Sequence, residues 1–248
     1  MLKPALKSWL KRAGLHLFTD GSLPPGADWL VDLKKLGVPS SAAATFFDVG
    51  ANVGQTVFEV RAAFPAARIF AFEPFPTPFA ELQKRTASLP GVQVFPLALG
   101  ASSGALRVDA RETSELNSLV GAKADSAANG NPDSDAVQIT VETLDTFCQR
   151  QGVEIIDVLK TDTEGYDLEV LRGGERLLQA GRVHYIYTEV TFCAQNAQNS
   201  PFAPLFEHLA ARDFHFLGLY ETYSLHHFAE PNVFCNALFV HRSQRPIA

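Results

Sequence analysis

Cysteine is scarce in this chain: three among 248 residues, Cys148, Cys193 and Cys235, with no C-x-x-C spacing between any two. That excludes a disulfide framework or a structural zinc site as the organising device, and makes a reducing, cytoplasmic setting the expectation. Positive charge is in deficit as well. Lys and Arg number 21 against 27 Asp and Glu, for a formal net charge of -6 and a pI near 5.6. A nucleic-acid partner needs a concentrated basic face, so none is expected. No stretch is long and apolar enough to span a bilayer, and there is no internal repeat. What remains, at 46% hydrophobic and 19% charged, is the composition of a folded domain with a large core.

A further lack lies among the glycines. Phe46-Phe47-Asp48-Val49-Gly50-Ala51-Asn52-Val53-Gly54-Gln55 reads as a buried strand turning sharply into a helix over 53–64, the place where a doubly wound fold receives a nucleotide-like ligand. The dinucleotide fingerprint is G-x-G-x-x-G. Counted from Gly50, Asn52 stands at the second glycine position and Gln55 at the third, so two of its three requirements fail. Asp48 also puts negative charge just before the turn, which repels a diphosphate and suits a ligand with a cationic part. S-adenosylmethionine is such a ligand: a sulfonium, an amino-acid end, a ribose and no phosphate. Glu73 follows a strand-like run about 20 residues past the turn, where an acid meets ribose hydroxyls. NAD, and with it an oxidoreductase, stays as the rival reading.

The rest of the chain alternates apolar runs with helix-length segments, the signature of a doubly wound α/β sheet with crossover helices. Helices are expected over 28–36, with Asp28 as N-cap, and over 77–89, 142–151, 166–171, 175–178 and 201–212. Strands are expected over 45–49, 69–72, 92–97, 105–108, 137–141, 155–160 and 183–190, with 214–219 and 234–240 as a closing antiparallel pair. Residues 1–44 read as an N-terminal helical extension. Within it Lys3, Lys7, Lys11 and Arg12 interleave with Leu2, Leu6, Trp9, Leu10 and Leu15, a basic amphipathic pattern without the apolar core of a signal peptide. Such an arm packs on the domain with a solvated basic face, or makes weak contact with an anionic membrane surface. Residues 45–242 form the domain proper, with a polar loop insertion around 111–136. Oligomeric state is not legible.

A second constellation lies at a later strand end. Lys160, Asp162 and Glu164 alternate, so they share one side if the strand stays extended to Glu164, and Glu189 ends the following strand at the same edge. Converging carboxylates there suit a general base for a hydroxyl, or oxygen ligands for a divalent cation, with Asp162 and Glu189 as the pair. The bland reading is a turn of solvated acids opening a helix. His226-His227 falls in a late loop that could reach the same side.

F-F-D-V-G-A-N-V-G-Q (46–55), F-E-P (72–74), N-S-L (117–119), V-E-T-L-D (141–145), L-K-T-D-T-E-G-Y-D-L-E-V-L-R-G (159–173) and N-A-L-F-V (236–240), in this order, resemble the FkbM family of S-adenosylmethionine-dependent methyltransferases. The resemblance implies the class I methyltransferase fold, a Rossmann-like sheet of seven strands whose last is antiparallel. It also implies O-methylation of a hydroxyl on a sugar, glycan or natural product. Carried onto this chain, Asp48, Gly50, Ala51, Asn52 and Gly54 fall around the methionine part of the cofactor. Glu73, with Pro74 beside it, falls at the ribose, and Leu97 and Ala98 near the adenine. Asp162 and Glu164 fall beside the transferred methyl and the acceptor, with Glu189 as a further candidate base. Thr161 stands where the family usually has a hydrophobic residue, Tyr166 lies where a second acid or small residue is usual, and the insertion is long; all three bear on the acceptor. A non-catalytic scaffold of the same fold is the other alternative.

Overall fold

The computed structural model describes residues 12, 18–40, 43–109, 123–124, 136–196, 198–222 and 233–244. The basic amphipathic stretch apart from Arg12 and Phe18, the Asn117-Ser118-Leu119 motif, His226-His227 and most of the 111–136 loop lie outside them.

Eleven strands form two sheets among the described residues: β1 Thr45–Val49, β2 Arg68–Phe72, β3 Val92–Phe95, β4 Ala98–Leu99, β5 Gly104–Asp109, β6 Lys123–Ala124, β7 Ala136–Glu142, β8 Ile156–Thr161, β9 Val183–Val190, β10 Phe214–Tyr220 and β11 Cys235–His241. Seven build the main sheet in the order β10-β11-β9-β8-β1-β2-β3. β3, β2, β1, β8 and β9 run parallel, and β11 is antiparallel to both its neighbours. This is the class I methyltransferase arrangement. The strand order reverses between β1 and β8, the switch point where such sheets bind ligands beyond their C-terminal ends.

Both faces of the sheet are covered, and the period of two decides which residue serves which. Phe46 packs with Trp29, Val57 and Phe64 on one side, while Phe47 packs with Phe70, Phe72 and Phe147 on the other. Burying such a side chain contributes roughly 1.5–3 kcal/mol, and parallel strands covered on both faces therefore read as continuous apolar runs. The Trp29–Lys35 helix starts where Asp28 Oδ1 accepts the amides of Leu30 (2.8 Å) and Val31 (3.0 Å). Its Trp29 stacks on Tyr187 of β9 at 4.3 Å, so this helix belongs to the core of the main sheet. Among the described residues no helix is long and apolar enough to cross a membrane.

The expected strand over 92–97 ends two residues early. β3 stops at Phe95, and after Pro96 the chain leaves the main sheet; Ala98–Leu99 instead joins a small sheet, β4-β7-β5-β6. Proline lacks the N–H that a continuing ladder needs.

Parts of two of the family-like motifs are structural. In V-E-T-L-D, Thr143 Oγ1 caps its own helix, Leu144–Gln151, by accepting Thr146 N–H at 3.1 Å. Asp145 caps the neighbouring Glu175–Gln179 helix, accepting Arg176 N–H at 2.9 Å and Leu177 N–H at 3.1 Å. The glycine ending L-R-G allows close approach: a Cβ on Gly173 would stand 2.1 Å from the Gly100 carbonyl oxygen.

Candidate active site

Backbone hydrogen bonds draw three strand ends into one rim. Gly50 N and Ala51 N both donate to Phe72 O, at 3.0 and 2.9 Å, and Asp162 N donates to Val49 O at 3.0 Å. The turn after β1 then needs left-handed backbone at Gly50 (φ 82°), Asn52 (φ 46°) and Gly54 (φ 92°). At Gly50 space is lacking too, since a Cβ would stand 1.8 Å from the Asp162 carbonyl oxygen. Gly54 is the N-cap of the Gln55–Ala63 helix.

Beyond this rim opens a cleft that is partly open to solvent. Gly50, Asn52, Glu73, Pro74, Leu97, Ala98, Asp162 and Glu164 all line it, with Val49, Phe72, Phe75, Leu99 and Thr163. Eight of the residues expected at the site therefore meet in one cavity. Asp48, Ala51, Gly54 and Glu189 are not among the lining residues: Asp48 lies buried within β1, Ala51 and Gly54 belong to the turn after it, and Glu189 is buried near the end of β9.

Glu73 organises the backbone. Its Oε2 accepts Asn52 N–H at 3.0 Å and its Oε1 accepts Phe75 N–H at 2.8 Å, which pins the turn after β1 to that after β2. Burial pushes its carboxyl up to about 7, against the lowering effect of the Phe75 and Asn52 amides.

Asp48 is buried and is not among the residues lining the cleft. The β1–β8 register sets it directly opposite Lys160. The Lys160 ammonium lies 3.2 Å from Asp48 Oδ1 and 3.3 Å from Asp162 Oδ2. Asp48 and Lys160 are both buried, whereas 37% of the Asp162 side chain is exposed. Burial pulls Lys160 down, but the two carboxylates outweigh it and hold the ammonium above the ordinary lysine range. Burial raises Asp48, and Lys160 offsets only part of that.

β8 does not stay extended to Glu164. It ends at Thr161, and Glu164 turns left-handed (φ 51°), followed by Gly165 (φ 91°). Lys160 and Asp162 share a side as the alternation requires; Glu164 reaches the cleft through the turn instead. Sequence reasoning passed over Asp167, wholly buried behind that turn, where it accepts Ser200 Oγ–H at 2.9 Å and Thr163 N–H at 3.2 Å. It also passed over Asn199, whose Nδ2 donates to Glu189 Oε2. Burial, then Asp162, Asp167 and Glu164, push Glu189 well above the usual carboxylate range, which disfavours its charged form. Among the described residues no three His, Cys, Asp or Glu side chains are grouped to hold a metal ion.

The cleft fits S-adenosylmethionine in its chemistry. Its polar wall carries three carboxylates, Glu73, Asp162 and Glu164, and among the described residues its lining includes no Lys or Arg, which suits a cationic ligand and not a diphosphate. Asn52 Oδ1 and Thr163 Oγ1, both from lining residues, are buried without a hydrogen-bond partner, acceptors of the kind a polar ligand satisfies. Leu97, Ala98 and Phe75 form part of its apolar wall.

A family model described as Methyltransferase FkbM domain matches residues 48–216. The 2-O-methyltransferase NoeI of Sinorhizobium fredii is 27% identical over 188 residues, 71% of this chain and 74% of that protein. The hexuronic acid methyltransferase AglP of Haloferax volcanii is 32% identical over 147 residues; there the match spans 58% of this chain and about half, 54%, of the relative. Among solved structures, Aeropyrum pernix fibrillarin with natively bound S-adenosyl-L-methionine aligns with a TM-score of 0.48 at 12% identity, covering 82% of this chain and 68% of that one.

Proposed function

The chain belongs to the FkbM methyltransferase family, and from that premise we propose that it transfers a methyl group from S-adenosylmethionine to a hydroxyl of a sugar, glycan or related natural product. The observation that carries this reading is the shared cleft: the residues fitted to the cofactor and the exposed carboxylate of Asp162 line one cavity. The names of two relatives, a 2-O-methyltransferase and a hexuronic acid methyltransferase, support a carbohydrate hydroxyl as the acceptor.

When bound, the cofactor supplies an electrophilic methyl on a sulfonium. This chain's residues then have two tasks. The first is to hold the reactants in line, which is worth roughly 7–11 kcal/mol of a bimolecular barrier. Glu73 would meet the ribose with the lone pairs left free by its two amides, Asn52 the amino-acid end, and Leu97 and Ala98 the adenine. The second is to receive the acceptor's proton. Asp162 is the residue for this, since it is exposed in the cleft and Lys160 fixes one of its oxygens. Glu164 stands beside it on the acceptor rim. Glu189, buried and held by Asn199, stands outside the cleft lining. The alternative of a divalent cation would use Asp162 and Glu189 as ligands; turnover that survives exhaustive chelation removes it.

Thermal-shift titration separates the cofactor reading from its rival. S-adenosylmethionine raises the melting temperature in a saturable manner and NAD does not; stabilisation by NAD alone would overturn the assignment.

A further inference from the structure

We propose that Asp48, Lys160 and Asp162 act as one charge-setting unit in the cofactor wall, carrying one net negative charge that favours the sulfonium-bearing cofactor over its demethylated product. The inference rests on the methyltransferase reading above and extends it to product release.

The geometry is that of a shared ammonium. Lys160 Nζ lies 3.2 Å from Asp48 Oδ1 and 3.3 Å from Asp162 Oδ2, so neither carboxylate owns it. Of the three residues only Asp162 lines the cleft. Asp48 acts from behind the wall through its field, which burial strengthens by keeping out water. Lys160 has a structural reason to exist, because two carboxylates at neighbouring strand ends repel and the ammonium between them makes their approach tolerable. Asp48 gives that buried ammonium a buried counter-charge. With Lys160 and Asp162 alone the wall would be neutral where the sulfonium must sit. Asp48, ionised against the ammonium 3.2 Å away, returns one negative charge to it. Methyl transfer turns the sulfonium into an uncharged thioether while the amino and carboxylate groups stay as they were. A wall with one negative charge therefore loosens the product relative to the substrate.

Calorimetric titration of the full chain with S-adenosylmethionine and with S-adenosylhomocysteine tests this without any acceptor. Asp48→Asn keeps the shape and takes the unit from one net negative charge to none. The preference for S-adenosylmethionine over S-adenosylhomocysteine should then fall about 3- to 10-fold, the order expected for one partly screened charge behind a wall. Asp48→Asn combined with Lys160→Met restores the net charge with both buried groups neutral, and should bring the preference back near the wild-type value. A purely structural pair would weaken both ligands alike and leave the ratio unchanged. That outcome in Asp48→Asn overturns the inference even if the double variant does not fold. Wild-type protein that binds neither ligand would instead remove the cofactor reading itself, and this inference with it.

Discussion

Replacing Glu73 by Gln should flatten the pH dependence of stability, and the size of the effect follows from its burial. The carboxyl titrates near 7 in the folded chain against 4.5 as its ordinary value. Its folded value is raised, so ionisation opposes folding. The penalty is absent below about pH 4.5, grows between 4.5 and 7, and is complete above 7. Two and a half units at 1.36 kcal/mol each give roughly 3 kcal/mol in full, of which about 2.5 kcal/mol develops between pH 5 and pH 8. Gln also changes hydrogen bonding, because only one of its two terminal atoms is an accepting oxygen, so either Asn52 N–H or Phe75 N–H is left facing an amide nitrogen that cannot accept. That cost, on the order of 1–3 kcal/mol, does not vary with pH. Comparing the variant with wild type at the two pH values therefore cancels it. Urea unfolding should show Glu73→Gln gaining about 2–3 kcal/mol relative to wild type on going from pH 5 to pH 8. A difference that is the same at both would mean that Glu73 is ionised at no cost and that its burial has been misjudged.

Other consequences can be checked separately. Asp162→Asn should lower kcat by about 10²- to 10⁴-fold, the usual contribution of a general base, while calorimetry finds cofactor affinity within a few-fold; unchanged turnover would take Asp162 out of the chemistry. Gly50→Ala forces a Cβ to within 1.8 Å of the Asp162 carbonyl and should cost at least about 2 kcal/mol in urea unfolding, from strain and displacement together. Asp145→Ala removes the acceptor for two helix-opening amides and should cost about 1–2 kcal/mol of stability, with cofactor affinity by calorimetry unaltered.

Much of the architecture could be read from the sequence because parallel strands covered on both faces leave long apolar runs, and β1, β2, β8 and β9 each show one. The break at Pro96 was legible in principle, as a residue that cannot donate to a ladder, yet the apolar Leu97-Ala98-Leu99 after it invites continuation. The Glu164 turn was harder. Alternation of Lys160, Asp162 and Glu164 assumes an extended chain, and only the neighbouring Gly165 hints that the backbone turns left-handed there. Asp48 and Lys160 show the limit of local reading. Each is a lone charge in an apolar strand, a pattern that asks for a buried partner, but their pairing depends on β1 and β8 lying side by side although 112 positions apart. Asn199 and Ser200 carry no signal beyond polarity. Their contacts with Glu189 and Asp167 arise only when the chain after β9 folds back over the strand ends.

The central claim is methyl transfer to a carbohydrate-type hydroxyl, and it is tested most directly by incubating the protein with isotopically methyl-labelled S-adenosylmethionine and a panel of neutral sugars, uronic acids and oligosaccharides. The account predicts label in a methyl ether on one acceptor, formed together with S-adenosylhomocysteine and lost in Asp162→Asn. Label on nitrogen or carbon, or equal transfer by the Asp162 variant, would contradict it.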